Sequence, residues 1–150
     1  MKKIFEIKYE NLQKCAELHR EVFNDKPWNE KWTLETSYIR LSDIYRTPNF
    51  IGLMYVENGN VIGAVFGNCE QMYDGKRYFL KEMFVDKNLK GNKIGSEMLA
   101  DIEKQVKKFD IKAVFLFTSR GNHTDRFYFK NKYKIYRELD NMVMMGKTIK

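Results

Sequence analysis

The sequence predicts a mixed α/β (α+β) fold in which a central sheet carries helices on both faces. Two observations predict it. In the first half of the chain, the apolar runs 50–56 and 61–66 flank Asn58-Gly59, a pair that tolerates positive φ and favours a tight hairpin. In the second half, residues 78–117 have the pattern of a strand, a helix and a second strand. A hairpin and a strand–helix–strand unit together imply a mixed sheet with helices on both faces.

The elements before the hairpin follow from the spacing of apolar side chains. Residues 4–9 suit a first strand, and residues 12–23 repeat apolar side chains at helical spacing. This first helix should end before Pro27, because proline cannot continue a helix. Thr33 is suited to cap a second helix, which should end before Pro48. The first half of the chain is therefore predicted to be β-α-α-β-β.

The second half adds three strands or more. Residues 78–85 suit a strand, and apolar side chains then recur every four residues from 94 to 106, as in an amphipathic helix. The continuous apolar run 113–117 is typical of a strand buried on both faces. A short helix around 125–131 and one or two closing strands within 133–148 complete the order β-α-α-β-β-β-α-β-α-β.

The composition is that of one folded domain spanning residues 1–150. A chain of 150 residues suits a single core, and its 43% hydrophobic and 15% aromatic content is too high for intrinsic disorder. No stretch approaches the roughly 18 apolar residues that span a bilayer. Glu6 interrupts the N-terminal segment before the apolar core of a signal peptide forms. We therefore expect a cytoplasmic protein with no membrane partner.

The few cysteines and histidines argue against a metal centre. Cys15 and Cys69 have no CxxC spacing, and His19 and His123 are the only histidines. We expect no metal site and two free, semi-buried thiols. His19 lies on an apolar helix stripe, where a buried and hydrogen-bonded role is the favoured interpretation.

The charge of the chain is divided unevenly. Residues 1–75 hold 9 Lys/Arg and 11 Asp/Glu, for a net charge of −2, whereas residues 76–150 hold 18 and 9, for a net charge of +9. A basic half indicates an anionic ligand. Its basic residues form neither a helix-turn-helix nor an aromatic-interleaved RNA motif, so nucleic acid is not an expected partner.

The strand that ends near residue 85 runs into a loop rich in glycine and lysine. This loop holds Gly91 and Gly95 together with Lys87, Lys90 and Lys93, and a helix begins within it. Free N–H groups at a helix start, beside glycines that admit a ligand, can bind phosphate. The two glycines are also explained by a tight turn and by close helix–strand packing, so both interpretations stay open at this point.

The same loop resembles the pyrophosphate-binding motif of the GNAT superfamily of acetyl-CoA-dependent N-acetyltransferases. That motif, Arg/Gln-x-x-Gly-x-Gly/Ala, aligns with the six residues Lys90-Gly91-Asn92-Lys93-Ile94-Gly95. Lys90 replaces Arg/Gln, and Lys93 occupies the middle glycine position. A second family pattern, Asn-x-x-Ala-x-x-Phe-Tyr-x-Lys, is similar to the segment from Asn122 to Lys130. Phe127, Tyr128 and Lys130 keep its spacing, whereas Asn122, and Asp125 in place of alanine, stand one residue nearer to Phe127 than in the pattern.

The resemblance implies a mostly antiparallel GNAT-like sheet and acetyl-CoA as co-substrate. It implies that Tyr128 protonates the departing thiolate and that the Met83 and Val85 amides pair with pantetheine. A phenol that merely caps core aromatic side chains is the alternative for Tyr128. The implied cofactor-binding residues are Met83, Phe84, Val85, Lys90, Gly91, Asn92, Lys93, Ile94, Gly95, Ser96 and Asn122.

Glu82 is the candidate general base, because it is an acid within an otherwise apolar strand. Strand alternation is equally compatible with a solvent-exposed Glu82. The segment between the first two helices is the candidate acceptor wall, formed by Phe23, Trp28, Glu30 and Trp32, where aromatic rings and acids suit a cationic amine. The tryptophans have a second explanation, which is that they hold the two helices together.

The resulting hypothesis is direct acetyl transfer from acetyl-CoA to a primary amine of a small molecule or peptide. The two cysteines lack a His/Asp pattern, so a covalent cysteine intermediate is not expected. Lys93 in the glycine motif motivates a second hypothesis, a non-catalytic acyl-CoA-binding regulatory module. The resemblance also implies a possible homodimer, and the acceptor itself is left open.

Overall fold

The computed structural model describes residues 1–89, 93–121 and 124–150. Within these residues a seven-stranded sheet forms the centre of the molecule. The strands are β1 (Lys3–Glu6), β2 (Phe50–Glu57), β3 (Asn60–Met72), β4 (Gly75–Val85), β5 (Ile111–Ser119), β6 (Lys134–Leu139) and β7 (Met142–Thr148). The helices are α1 (Leu12–Asn24), α2 (Leu34–Tyr45), α3 (Ile94–Lys107) and α4 (Thr124–Lys130).

The sheet is mixed and mostly antiparallel, which confirms the predicted fold class. Its strand order is β1-β2-β3-β4-β5-β7-β6. Of the seven described strands, only β4 and β5 pair in parallel, and α3 forms the crossover between them. The region predicted to hold one or two closing strands contains two, β6 and β7, which pair antiparallel. None of the described helices is long and apolar enough to cross a membrane.

Local sequence signals fix the ends of several elements. Asn58 and Gly59 connect β2 to β3 with φ values of 53° and 78°, the positive range expected for this pair. The Oγ1 atom of Thr33 accepts a hydrogen bond from the backbone N–H of Thr36 at 3.0 Å. The Thr36 hydroxyl in turn accepts from the Thr33 N–H at 2.9 Å, so α2 begins with a reciprocal capping box.

Helices lie on both faces of the sheet, and each face has its own core. Helix α3 packs on one face over a core that includes Tyr55, Val65 and Tyr78. Helices α1 and α2 pack on the other face over a core that includes Met54 and Ala64. Neighbouring residues of one strand thus enter opposite cores, as strand alternation requires.

The prediction that residues 113–117 are buried on both faces is wrong. Val114 and Leu116 are buried under α3, whereas Phe117 on the opposite face is 46% exposed. The cause is the position of α1 and α2, whose main sheet contacts among the described residues are with β2, β3 and β4. The outer face of β5 and β7 is therefore left open.

An extra residue in β4 changes the direction of its side chains. Phe66 of β3 pairs with Glu82, and the next residue, Gly67, pairs with Leu80, so Lys81 has no partner of its own. Such a bulge shifts the alternation of the strand. A Cβ on Gly67 would lie 2.3 Å from the carbonyl oxygen of Phe79, so the close approach at the bulge requires glycine there. Beyond the bulge, Phe84 enters the core under α1 and α2.

Strands β4 and β5 separate halfway along their length. Their parallel ladder ends at the Phe79–Phe115 pair. Strand β4 continues to Val85 and β5 continues to Ser119, and residues 80 and 82–85 still pair with β3. The result is an opening between residues 80–85 and 116–119, which is called the cleft below.

Candidate active site

The carboxylate of Glu82 is largely buried, and one side chain of α1 and one of α2 contact it. Its side chain is 14% exposed, so the alternative of a solvent-exposed Glu82 is wrong. Its Oε1 atom accepts a hydrogen bond from Nε of Arg40 at 3.3 Å, and Nε2 of His19 lies 3.5 Å from the same oxygen. His19 belongs to α1 and Arg40 to α2, so the bulge of β4 brings Glu82 to the point where both helices meet the sheet.

His19 is fully buried and its ring nitrogens have hydrogen-bond partners, as its place on the apolar helix stripe predicts. Its Nδ1 lies 2.9 Å from Oγ of Ser37, which is also fully buried. Since Glu82 only accepts when ionised, the favoured tautomer carries its proton on Nε2 and accepts from the Ser37 hydroxyl at Nδ1. Sequence reasoning missed the contact with Glu82. The available signal was a polar residue on an apolar helix stripe and an acid on an apolar strand, since two such groups require partners.

Tyr128 lies in α4 beside the cleft and is buried. Its hydroxyl is 4.0 Å from the sulfur of Met83. Burial raises the pKa of Tyr128 above the ordinary phenol value, and the negative charge of Glu82 raises it further. Tyr128 is therefore fully protonated at neutral pH and sits within electrostatic reach of Glu82.

The backbone of β4 directs two amides into the cleft. The N–H of Asp86 donates to the carbonyl of Ile62 on β3 at 2.8 Å. Because amide directions alternate along a strand, the amide of Phe84 also points toward β3, whereas those of Met83 and Val85 point away from it. The edge they face is the edge that β5 leaves unpaired. Among the described residues, Met83 and Val85 thus offer free backbone donors to a ligand in the cleft.

The start of α3 holds several of the predicted cofactor-binding residues. Lys93 immediately precedes the helix in the left-handed conformation, with φ of 60°. Ile94 is buried, and Oγ of Ser96 accepts from the Asn131 side chain at 3.2 Å. A Cβ on Gly95 would lie 3.2 Å from the ring of Phe127, so this glycine allows α3 to approach α4 closely. Lys90, Gly91, Asn92 and Asn122 lie outside the described residues.

The candidate acceptor wall is brought against the same cluster. The rings of Phe23 and Trp32 lie 4.8 Å and 4.7 Å from the His19 ring, between centroids. Trp28 packs edge-on against Phe23 at 5.1 Å. The indole N–H of Trp32 donates to Oε1 of Glu30 at 2.7 Å. These contacts join the segment to α1, so the tryptophans hold the helices together, as the second explanation for them requires.

Lys87 contacts the acceptor side of the molecule. Its ammonium lies 3.7 Å from a carboxylate oxygen of Asp25, in the segment between α1 and α2. Both side chains are about half exposed, so the pair contributes little to stability. The contact nevertheless connects the loop after β4 with the acceptor wall.

A sequence profile of the Acetyltransferase (GNAT) family matches residues 12–133. The chain belongs to the GNAT acetyltransferase family. The mixed sheet, the separated β4 and β5, and the helix that begins after β4 are accordingly a GNAT acetyltransferase fold. A comparison with curated protein sequences finds no match.

Several solved GNAT structures have this fold. PaiA N-acetyltransferase from Thermoplasma acidophilum, solved with coenzyme A, is 20% identical with a TM-score of 0.78, over 99% of each chain. An aminoglycoside 6′-N-acetyltransferase complexed with coenzyme A is 20% identical with a TM-score of 0.81, over 99% of this chain and 97% of that one. A GNAT acetyltransferase from Streptococcus pneumoniae is 19% identical with a TM-score of 0.73, over the whole of both chains. At these identities the likeness establishes the shared fold.

The backbone at Lys93 explains why glycine suits the middle position of the GNAT motif, and it leads to a stability prediction. Lys93→Gly is expected to raise the free energy of unfolding by about 1 kcal/mol, because a left-handed φ costs lysine more than glycine. Chemical denaturation measures the change. Lys104→Gly, within α3, is the matched control and is expected to lower stability by about 1 kcal/mol. Destabilisation by both substitutions would contradict the prediction.

Proposed function

We propose that the chain transfers an acetyl group from acetyl-CoA to a primary amine by direct attack in a ternary complex. Glu82 acts as general base and Tyr128 as general acid. The observation that carries this proposal is the cleft, which lies between a buried carboxylate and a buried phenol and presents the amides of Met83 and Val85. We further propose that the chain works as a single domain over residues 1–150.

The cofactor would lie along the cleft with its phosphates at the start of α3. The amides of Met83 and Val85 would pair with pantetheine and leave the thioester near the bulge of β4. Lys93, Ile94, Gly95 and Ser96 would surround the pyrophosphate, together with Lys90, Gly91 and Asn92, and Asn122 would also contact the cofactor. This placement agrees with the positive charge of the second half of the chain.

The reaction would use one proton acceptor and one donor. The acceptor ammonium gives a proton to Glu82, and the neutral amine then attacks the thioester carbonyl to form a tetrahedral intermediate. A backbone N–H of β4 stabilises its oxyanion. The C–S bond breaks, and the thiolate takes the proton of Tyr128. The amide nitrogen gives its second proton to the resulting phenolate, which leaves a neutral amide, CoA and a protonated Glu82 that returns its proton to solvent.

The two donors on Glu82 determine which oxygen takes the proton. Arg40 and His19 both approach Oε1. Their hydrogen bonds stabilise charge on that oxygen, so Oε2 is the atom that receives the proton of the amine. His19 therefore serves as a positioning residue that holds the carboxylate in one orientation.

Neither cysteine suits a covalent intermediate. Cys15 and Cys69 are both free and buried. Burial raises the pKa of the Cys15 thiol to about 12 and also raises that of Cys69. Buried thiols of this kind are poor nucleophiles. Two free thiols also agree with a reducing, cytoplasmic setting, which we propose for the enzyme.

The acceptor would be an amine of a small molecule or peptide that enters between α1 and α2. Phe23, Trp28 and Trp32 would pack on its apolar part, and Glu30 would favour a positive charge at the entrance. The test is turnover of acetyl-CoA with a panel of amines, followed by thiol release and by mass spectrometry of the product. Stabilisation by CoA without transfer to any amine would instead favour the non-catalytic acyl-CoA-binding module.

We also propose that the enzyme forms a homodimer through the open face of β4, β5, β7 and β6, called the aromatic face. It consists of Phe79, Phe115, Phe117 and Tyr136, of which Phe117 is 46% and Tyr136 49% exposed. The rings contact one another in pairs, Phe79 with Phe117 and Phe115 with Tyr136. Exposed clusters of this kind on a soluble protein mark interaction surfaces.

The charges around the aromatic face favour a second copy over a polyanion. Arg77 pairs with Asp74 at 3.1 Å, and Arg120 pairs with Glu138. These two pairs place both signs at the rim, and Lys81 lies over the Phe79 ring at 5.0 Å, an arrangement that suits a self-complementary interface with an apolar centre. A nucleic acid would instead require an unpaired cationic track.

Phe117→Asp is expected to convert the dimer to a monomer, because it places a charge at the centre of the interface. Size-exclusion chromatography with light scattering measures the mass. Phe109→Asp is the matched control, since Phe109 is also exposed but lies at the end of α3 away from this face. A wild-type protein that is monomeric at micromolar concentration would refute the dimer.

A further inference from the structure

Arg40 carries more hydrogen-bond donors than its contact with the proposed base requires. Its side chain is 40% exposed, and its Nε donates to Oε1 of Glu82 at 3.3 Å. Glu82 is its only partner among the described residues. Since a guanidinium has five N–H donors, the two terminal nitrogens of Arg40 remain available to a ligand at this position.

The chemistry of those donors selects for one class of ligand. A guanidinium offers two parallel N–H groups that match the two oxygens of a carboxylate. A ligand that reaches Glu82 with its amine necessarily passes within a few ångströms of the Arg40 side chain. An anionic group next to the amine would therefore find a partner there.

The charge beside Glu82 argues against a polycationic acceptor. Asp25 already pairs with Lys87, and the Trp32 indole fixes the position of Glu30 at the entrance. A second ammonium on the acceptor would face Arg40, and like charges at that distance repel. By contrast, adjacent negative and positive groups at Glu82 and Arg40 complement a molecule whose ammonium and carboxylate are also adjacent.

We propose that Arg40 binds a carboxylate of the acceptor, so that the preferred substrate is a zwitterionic amine such as a free amino acid. The ammonium of the substrate contacts Oε2 of Glu82 while its carboxylate contacts the terminal nitrogens of Arg40. Arg40 is thus a specificity-determining residue. This inference rests on the proposed function, because it needs acetyl transfer at Glu82.

The experiment compares three acceptors that share one side chain: phenylalanine, phenylalaninamide and phenethylamine. Wild-type protein is expected to favour phenylalanine over phenethylamine by about 10- to 100-fold in kcat/KM, the range of one charge-assisted pair. Because the amines differ in their own reactivity, the decisive quantity is this preference in the wild type divided by the preference in a variant.

Two variants separate specificity from structure. Arg40→Gln is expected to remove the preference for phenylalanine, whatever its effect on the overall rate. Arg46→Gln is the matched control, because Arg46 is an exposed arginine at the end of the same helix. It is expected to leave the preference unchanged. Calorimetry of phenylalanine and phenethylamine binding to the CoA-loaded protein gives a second readout that does not depend on turnover.

The outcomes distinguish this inference from the proposed function. Acetylation of amines without preference for the zwitterion, or a preference that survives Arg40→Gln, overturns the inference alone. Faster turnover of a polyamine or an aminoglycoside than of any amino acid also overturns it. Failure to acetylate any amine overturns the proposed function and the inference with it.

Discussion

Replacing Glu82 by glutamine is expected to lower kcat by about 10²–10⁴-fold, the usual contribution of a general base. Glutamine keeps the size of the side chain and still offers an oxygen to Arg40 and His19, so the fold should be retained. It cannot accept the proton of the ammonium. Steady-state rates at saturating acetyl-CoA and acceptor measure the loss.

The pH dependence of this variant identifies the missing step. As the pH rises, more of the acceptor amine is neutral in solution and needs no base, so the deficit of Glu82→Gln should shrink. Glu70→Gln is a matched control, since Glu70 is an exposed glutamate on β3. A variant that retains the wild-type rate at neutral pH would exclude Glu82 as the base.

Tyr128→Phe is expected to lower kcat by about 10²-fold or more, because the thiolate then leaves without a positioned proton donor. The substitution removes only the hydroxyl, whose contact with Met83 is long at 4.0 Å, so stability should change little. Tyr73→Phe is the control, because Tyr73 is almost fully exposed. An unchanged rate for Tyr128→Phe would leave the phenol with only a packing role.

The raised pKa of Tyr128 predicts where activity is lost at high pH. An acid whose pKa is raised keeps its proton to a higher pH, so loss of the donor should begin above the ordinary phenol value of about 10. The causes are burial first and the charge of Glu82 second. In Glu82→Gln the second cause is removed, and the pKa of Tyr128 is expected to fall toward, but not to, its ordinary value.

Features that depend on a few neighbouring residues were predictable from the sequence. The hairpin at Asn58-Gly59 and the cap at Thr33 follow from the conformational preferences of those residues alone. The two GNAT motifs likewise led to the correct family. The number of closing strands was not decided, because the turn between β6 and β7 is Asp140-Asn141, which lacks the glycine that marks the hairpin at Asn58-Gly59.

Features that depend on strand pairing were not predictable. Whether Glu82 faces solvent or core is decided by one unpaired residue, Lys81, and an apolar pattern does not reveal a bulge. The contact of Glu82 with His19 and Arg40 joins residues 63 and 42 positions apart, so no local signal carries it. The exposure of Phe117 depends on how far α1 and α2 extend across the sheet.

Because of the bulge at Lys81, acetyl-CoA and the amine acceptor would be bound by different kinds of protein group. Acetyl-CoA would be held largely by main-chain amides, which do not depend on the side chain at that position. The amine substrate would instead be recognised by side chains of α1, α2 and the segment between them. Substitutions on those helices can therefore change which amine is accepted while thioester binding is preserved. Proteins with this architecture would then change their amine substrate through substitutions on α1, α2 and the segment between them. Exchanging residues 19–40 between relatives would be a direct way to alter the specificity for the amine.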